Sequence, residues 1–434
     1  MEKTVNRRDF LGSVAAASAA LLASTRAIDG QGLVREALGA PRAPEGRTLK
    51  AGLIGCGGRG QGAMLNFLDA GPNLEITAFA DLFQDRIDAA RRELKDKKGI
   101  DVPASRCFTG FDAHQKLIDS GVDIVLNCTP PHFRPAHFAA CVEAGKHCFL
   151  EKPIAVDPTG VRSVLETAEK AASKGLSVMT GTQLRRETSR LEVRNRVVDG
   201  MIGDVVAVRA IRNQGALWYR LRQNGWSDME WMIRDWVNWN WLSGDHIVEQ
   251  HIHHLDAMIW VLGKAPVKAV GMGGRVRRQT GDQYDFFTVD YAFDNGVHMH
   301  STIRQLNGCA NMRDETLVGT KGSASLDQGA IFDRDGKVVW KHQGEDNDAL
   351  VQEHADFVTA IRTEKPVNAV KATAIATLTA IMGRESAYTG KAVTWDEMMA
   401  STLRLGPTSY ALGPVNIPAT PPLAGQDSAP LSTM

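Results

Sequence analysis

The chain reads as an α/β protein in two parts. The N-terminal part is a doubly wound parallel sheet, and the C-terminal part is an α/β domain with a large, mostly antiparallel open sheet. Three observations predict this. A glycine-rich turn, Gly55-Cys56-Gly57-Gly58-Arg59-Gly60, joins an apolar run to a helical stretch near the start. Apolar runs of strand length then alternate with helical patterns to about residue 183. From Val267 to Ala324 alternating residues broken by glycine turns take over.

The first element is the strand Leu49 to Ile54, followed by the glycine turn and a helix from Gln61 to Ala70. This is GxGxxG in the setting that gives it meaning. Gly55 permits the tight turn, Gly57 lets backbone approach a pyrophosphate, and Gly60 allows close helix–strand packing. Gly58 and Arg59 complete the loop, and the helix N-terminus offers unpaired N–H groups to the anion. A second apolar run, Leu74 to Ala80, ends in Asp81. An acid there accepts ribose hydroxyls and repels a 2′-phosphate, which favours NAD over NADP. These features predict a Rossmann domain over residues 48–183.

Further units follow in order. A strand from Val122 to Cys128 ends at Thr129-Pro130-Pro131, with a helix from about Pro135 to Ala144. The strand Cys148-Phe149-Leu150 delivers Glu151-Lys152-Pro153, and Leu176 to Met179 precedes Gly181-Thr182-Gln183. Strand ends on one edge of a parallel sheet line its ligand crevice.

Composition bounds the partners. The 434 residues exceed one typical core, and 43% hydrophobic with 23% charged residues describe an ordinary globular chain. Fifty basic and fifty acidic side chains give zero formal charge, so no nucleic-acid partner is expected. The six cysteines form no CxxC pair and no staple-like spacing, so no disulfide framework is expected.

The first thirty residues read as an address. Asn6-Arg7-Arg8-Asp9-Phe10-Leu11 and the apolar stretch Val14 to Ala23 resemble a twin-arginine export signal, with cleavage expected near Thr25-Arg26-Ala27. The apolar run is too short to span a bilayer of about 30 Å, so stable membrane insertion is not expected. The address implies the periplasm, with residues 31–47 as a linker. Free nicotinamide is scarce there, so a cofactor loaded before export should be held tightly.

The stretch TPPHFRPAHFAACVEAGKHCFLEKP, Thr129 to Pro153, together with the glycine loop and Asp81, resembles the Gfo/Idh/MocA family of glucose–fructose oxidoreductases and inositol dehydrogenases. The resemblance covers roughly residues 48 to 400, loosely in the C-terminal half. It implies an oxidoreductase of sugars or cyclitols, with Lys152 beside nicotinamide and substrate. Thr129, Pro130, His132, His137, Glu151 and Gln183 are the implied further cofactor contacts. Arg185 is implied beside the nicotinamide, with Arg186 toward substrate hydroxyls. It also implies a homodimer or homotetramer built on the antiparallel sheet. A lysine at a strand end, partly desolvated near a cationic ring, is expected to have a depressed pKa and to relay a proton.

The second dense segment runs from Trp241 to Asp256. Glu249, His253 and Asp256 fall at i, i+4 and i+7, one helix face, beside apolar Ile252, Leu255 and Ile259. A carboxylate that orients an imidazole suits proton transfer. The family shows aspartate where this chain has Glu249. Either the site is remodelled, or Asp245 supplies the carboxylate from one turn earlier. His246, Glu249, His251, His253 and His254 are metal-ligand types, but their spacing fits no standard zinc motif, so no metal is expected. Core or helix-capping histidines are the other alternative.

Upstream, Trp218, Tyr219, Trp226, Trp231, Trp236, Trp239 and Trp241 make an aromatic cluster suited to sugar C–H faces or, equally, to a loop-rich core. Trp236 and Trp241, with Asp245 and His254, are the expected substrate contacts. Phe286 to Phe293, the turn Asp294-Asn295-Gly296 and Val297 to Arg304 read as a hairpin. A last helix is expected from about Asn368 to Tyr388, ending the substrate domain, residues 184–405, before a Pro/Ala/Ser-rich tail, residues 406–434, that reads as unstructured from Gly413.

The implied reaction is hydride transfer from a CH–OH group to nicotinamide, with Lys152 and His253 handling the proton. The runner-up is an NAD-dependent glycosidase that oxidises a ring hydroxyl transiently and eliminates the aglycone. Its members replace the Glu-Lys-Pro signature kept here. A third reading is an inactive sugar-binding protein.

Overall fold

The computed structural model describes residues 33–425; the predicted export signal lies outside them. Two sheets organise the chain. Six parallel strands in the order β3-β2-β1-β4-β5-β6 form the first. They are β1 Leu49–Ile54, β2 Leu74–Asp81, β3 Cys107–Thr109, β4 Ile124–Asn127, β5 His147–Leu150 and β6 Val178–Thr180. The order reverses between β1 and β4, and the crevice at that switch point is where a doubly wound sheet takes its ligand. Strand positions match the apolar runs because both faces of a parallel sheet are covered, so its strands read as continuous hydrophobes. The short β3, only three residues long, had no such signature.

The second sheet has nine strands from β7, Val205–Gln214, through β15, Val393–Thr394, and is antiparallel except where β7 pairs with β10, His298–Gln305. The predicted hairpin is there, as β9, Phe286–Ala292, and β10. The helix Val370–Thr389 and the helix Ile252–Leu262 cover its inner face. The outer face leaves Val270, Met272 and Val318 exposed.

The C-terminal chain does more than the sequence suggested. A helix Ala349–Arg362, unpredicted, returns to the first domain and places Phe357 and Val358 in the core around β1, β2 and β4. Its His354 ring stacks on Phe149 of β5 at 4.2 Å. The expected loose tail is irregular but attached. Gly413 accepts from the Met229 N–H, Pro422 accepts from the Tyr284 hydroxyl, and Tyr410 bonds His132. Residues 33–47 run across both domains; the Glu36 carboxylate accepts from the Trp260 indole, and the Ala43 N–H donates to Ala70. All six cysteines are free thiols.

Because Phe357 is buried in the first domain's core, the two parts should lose structure together. Phe357→Ala should cost about 3–5 kcal/mol, read as a lower urea midpoint for both domains at once; unfolding confined to the C-terminal part would contradict this packing.

Candidate active site

The glycine loop divides its labour as its motif demands. Gly55 has φ +88°, and a Cβ there would lie 2.7 Å from the Cys128–Thr129 backbone. A methyl on Gly60 would run into the Gly55 carbonyl oxygen. Gly57 and Gly58 meet nothing within 4 Å, so their backbone faces open space at the start of the helix Gly58–Asp69. That space is a cavity of about 370 Å³ shared by Gly55, Gly57, Gly58, Arg59, Gly60 and Asp81. A second, apolar-walled space of about 80 Å³ adjoins it, with Asp81, Thr129, Pro130, Phe111 and His137 in its wall. Together they fit a dinucleotide: N–H groups and a helix N-terminus for the pyrophosphate, and a flat apolar slot for a base.

Asp81 is built into the loop. Its carboxylate accepts from the Cys56 N–H at 2.7 Å and the Phe83 N–H at 3.0 Å, while burial pushes its carboxyl upward. Each oxygen keeps a lone pair for a ribose hydroxyl. Arg59 donates to Glu151 at 2.6 Å. Burial alone would raise the Glu151 carboxyl, but Arg59, Lys152 and Arg134 outweigh it and hold it low.

β5 delivers Lys152 to the seam between domains, and the Lys152–Pro153 peptide is cis. The Lys152 ammonium donates to the Glu249 carbonyl at 2.7 Å and to its carboxylate at 3.0 Å. Both side chains are nearly buried, 12% and 8% exposed, so this contact is desolvated. The carbonyl is available because the expected single helix is broken. One turn spans His246–Glu249, the His251 N–H bonds back to His246, and a new helix begins at Ile252.

His253 stands in the first turn of that new helix, half-buried, with no hydrogen bond to its ring among the described residues. Burial, then the charges of Lys152 and Arg212, hold its pKa well below the usual histidine value. The ring is therefore neutral at physiological pH, and one of its nitrogens has a lone pair that can accept a hydrogen bond. The Lys152 charge thus reaches the His253 ring.

Several expected site residues have other duties. Asp256 does not join the proton-transfer pair; it takes the Arg185 guanidinium through two bonds of 2.7 and 2.8 Å. Arg185 is thus a brace between the turn Gln183–Arg186 and the helix Ile252–Leu262. Arg186 holds Asp356 at 2.8 Å instead of pointing to substrate. His254 is buried and bonded to Glu315, whose carboxyl, despite burial acting upward, is held down to about 2 by His254 and Arg190. Asp245, wholly buried at φ +71°, accepts from the His246 N–H and ring, the Tyr284 N–H and the Tyr388 hydroxyl. It cannot replace the aspartate that Glu249 displaces. His132 bonds Tyr410 at 2.6 Å and packs on Trp241, away from the glycine loop. Trp241 itself is 2% exposed and fills a loop core. Trp236 lines the dinucleotide cavity and not a sugar cleft. Gln183 is half-buried at the head of its turn. Among the described residues no three His, Cys, Asp or Glu side chains are grouped to hold a metal, and no helix is long and apolar enough to cross a membrane.

Arg190 of the helix Thr188–Val198, Arg212 of β7 and Glu315 of β11, Met312–Gly319, support the histidine helix and were not expected from the sequence. Nothing in their local sequence marks them, because their partners lie far along the chain.

The models for an oxidoreductase family with an NAD-binding Rossmann fold, and for a GFO/IDH/MocA C-terminal domain, match residues 49–180 and 191–325. The chain belongs to this family. Among its relatives, D-glucoside 3-dehydrogenase of Escherichia coli is 25% identical over 68% of this chain and 82% of that protein. Inositol 2-dehydrogenase of Paracoccus denitrificans is 27% identical, but that match spans 50% of this chain and only 54% of the relative. An α-N-acetylgalactosaminidase of Shewanella oneidensis is 26% identical over 46% of this chain and 44% of that protein. In fold, the chain is similar to scyllo-inositol dehydrogenase of Lactobacillus casei with NAD(H) and scyllo-inositol. That likeness has a TM-score of 0.62 at 19% identity and covers 82% of this chain and 100% of the other.

Two predictions follow from this geometry. Gly57→Ala should leave the melting temperature unchanged yet weaken NAD binding in calorimetry, whereas Gly60→Ala should lower the melting temperature first; the reverse pattern would contradict the loop assignment. Desolvated neutral imidazoles, the buried His137, His251 and His354 and the half-buried His253 and His132, the last at about 3, titrate lower folded than unfolded. Their stabilisation is complete above about pH 6.5 and is lost as pH falls below it, because the unfolded chain binds those protons first. Urea midpoints measured from pH 7.5 down to pH 5 should fall; a flat profile would contradict desolvated neutral rings.

Proposed function

We propose that this chain is an NAD-dependent dehydrogenase of a sugar, glycoside or cyclitol hydroxyl, working in the periplasm with a tightly held cofactor. The observation that carries the reading is a lysine ammonium, at the open edge of the parallel sheet, whose charge acts on a neutral imidazole that has no ring hydrogen bond among the described residues. NAD, when bound, supplies the hydride acceptor. Gly57 and Gly58 hold its pyrophosphate, Asp81 its adenosine ribose, and Thr129, Pro130 and His137 the slot beside it. Lys152 has three N–H donors, and Glu249 uses two of them. The third is available to a substrate hydroxyl oxygen, fixing it and stabilising negative charge as it develops. The His253 ring accepts the hydroxyl proton. Glu249 anchors the lysine while Asp256, through Arg185, holds the helix that carries His253. The relatives named for glucoside and inositol oxidation support the substrate class. The Arg7-Arg8 leader supports export, and the exposed Val270, Met272 and Val318 face supports self-association.

A second reading, redox-neutral glycoside cleavage, is supported by the α-N-acetylgalactosaminidase relative. The retained Glu-Lys-Pro keeps it second.

Incubating NAD-loaded protein with a panel of sugars, cyclitols and glycosides decides between them. Appearance of reduced cofactor is expected; catalytic aglycone release without added NAD would favour the second reading, and neither signal would sink both. Lys152→Ala should lower kcat by about 10²–10⁴-fold while NAD still binds, and unchanged turnover would remove the lysine from the mechanism.

A further inference from the structure

The cavity along the glycine loop has an outer wall that no sequence motif assigns. Residues 215–239 leave the end of β7 and cross the open edge of the parallel sheet. From this strap Trp218, Arg220, Arg234 and Trp236 stand opposite Gly57, Gly58 and Asp81. The Trp218 and Trp236 rings meet edge to face at 6.3 Å, and the Arg220 guanidinium lies 5.5 Å from the Trp218 ring centre. Both Trp218 and Arg220 are exposed on their outer side, so they are not serving a core.

The strap's base is anchored by buried Met229, Met232, Ile233 and Trp239, and one ion pair ties it to the first domain. Arg234 donates to both Asp85 oxygens, at 3.0 and 3.1 Å, and to Glu230 at 2.9 Å, and it covers the Phe83 ring at 3.8 Å. Asp85 opens the helix Gln84–Lys98, one turn past Asp81, and its bonds to Arg234 hold its carboxyl low. The latch thus closes directly over the ribose corner of the site.

Charge points to the occupant. Arg59 and Arg234 are paired with acids, but Arg86 and Arg220 border the same cavity and neither makes an ion pair among the described residues. Arg86 is balanced only at longer range, by Asp81 and Asp85, and Arg220 stands over the Trp218 ring. Two guanidiniums without a direct ion pair facing a helix N-terminus suit a phosphate-bearing ligand, and guanidinium–phosphate bonds are among the stronger polar contacts. The tryptophans give such a ligand a dry cover.

We propose that the strap is the second half of the dinucleotide site. Arg220 and Arg86 neutralise the pyrophosphate opposite the glycine loop, Trp218 and Trp236 cover it, and the Arg234–Asp85 latch opens for exchange. This rests on the NAD reading above, and it gives a retained cofactor a physical cause.

The test follows release of NAD from the full-length holoprotein after mixing with excess etheno-NAD, whose fluorescence reports exchange. Trp218→Ala and Arg220→Ala should each speed release roughly tenfold or more, the scale of one charge-assisted bond. Asp85→Asn should speed it too, although Asp85 is outside the cavity wall. Melting temperatures without NAD should stay near wild type, since all three residues are exposed. Unchanged release in all three variants overturns the strap while NAD binding itself stands. A wild-type chain that takes up no NAD overturns the underlying reading, and the strap with it.

Discussion

One desolvated contact ties the two domains together at the place where chemistry is proposed. The Lys152 ammonium, carried by a strand end of the parallel sheet, sits on the carbonyl and carboxylate of Glu249 in the other domain. Charges this buried are stable only as a pair, since removing either partner strands the other in a low dielectric. The pair therefore fixes the local seam, alongside the helix Ala349–Arg362 that also joins the domains. It also sets the electrostatics nearby, because the lysine charge helps keep the His253 ring neutral. Glutamate in place of aspartate suits this arrangement: its longer side chain lets one residue offer both backbone and side-chain oxygen to the same ammonium.

Around that contact the charged side chains work mainly as scaffolding. Arg185 with Asp256, Arg190 and His254 with Glu315, and Asp245 with His246 and Tyr388 all satisfy one another inside the protein. Each holds an element that carries a functional group without offering that group itself. A site built this way is stiff, and stiffness is what positions a hydroxyl for transfer.

The first domain was largely legible because its physics is local. A strand buried on both faces must read as an apolar run, and a pyrophosphate turn must have Gly55, Gly57 and Gly60 where backbone or ligand leaves no room for a side chain. The second domain was legible only where alternation and turn chemistry are local too, as in the hairpin around Asn295-Gly296. The break after Glu249 was not, since Gln250 and His251 are ordinary helix residues and the cause lies in distant packing. The same holds for Asp256, Asp245 and His254. Asp245 caps one short turn while His254 and Asp256 share the next helix, and their partners Tyr388, Glu315 and Arg185 come from elsewhere in the chain. A buried acid looks the same in sequence whether it serves a substrate or an arginine. The helix Ala349–Arg362 and the strap before Trp241 share that character: their meaning is set by what they cover.

The proposed chemistry depends on where the nicotinamide ring lies. A crystal structure of the full chain with NAD measures this directly. The ring should rest at the seam with its reactive face toward the Lys152 ammonium and the His253 imidazole, leaving space for a polyol between them. A ring turned out to solvent, or separated from either side chain by protein, would contradict the assignment of both residues.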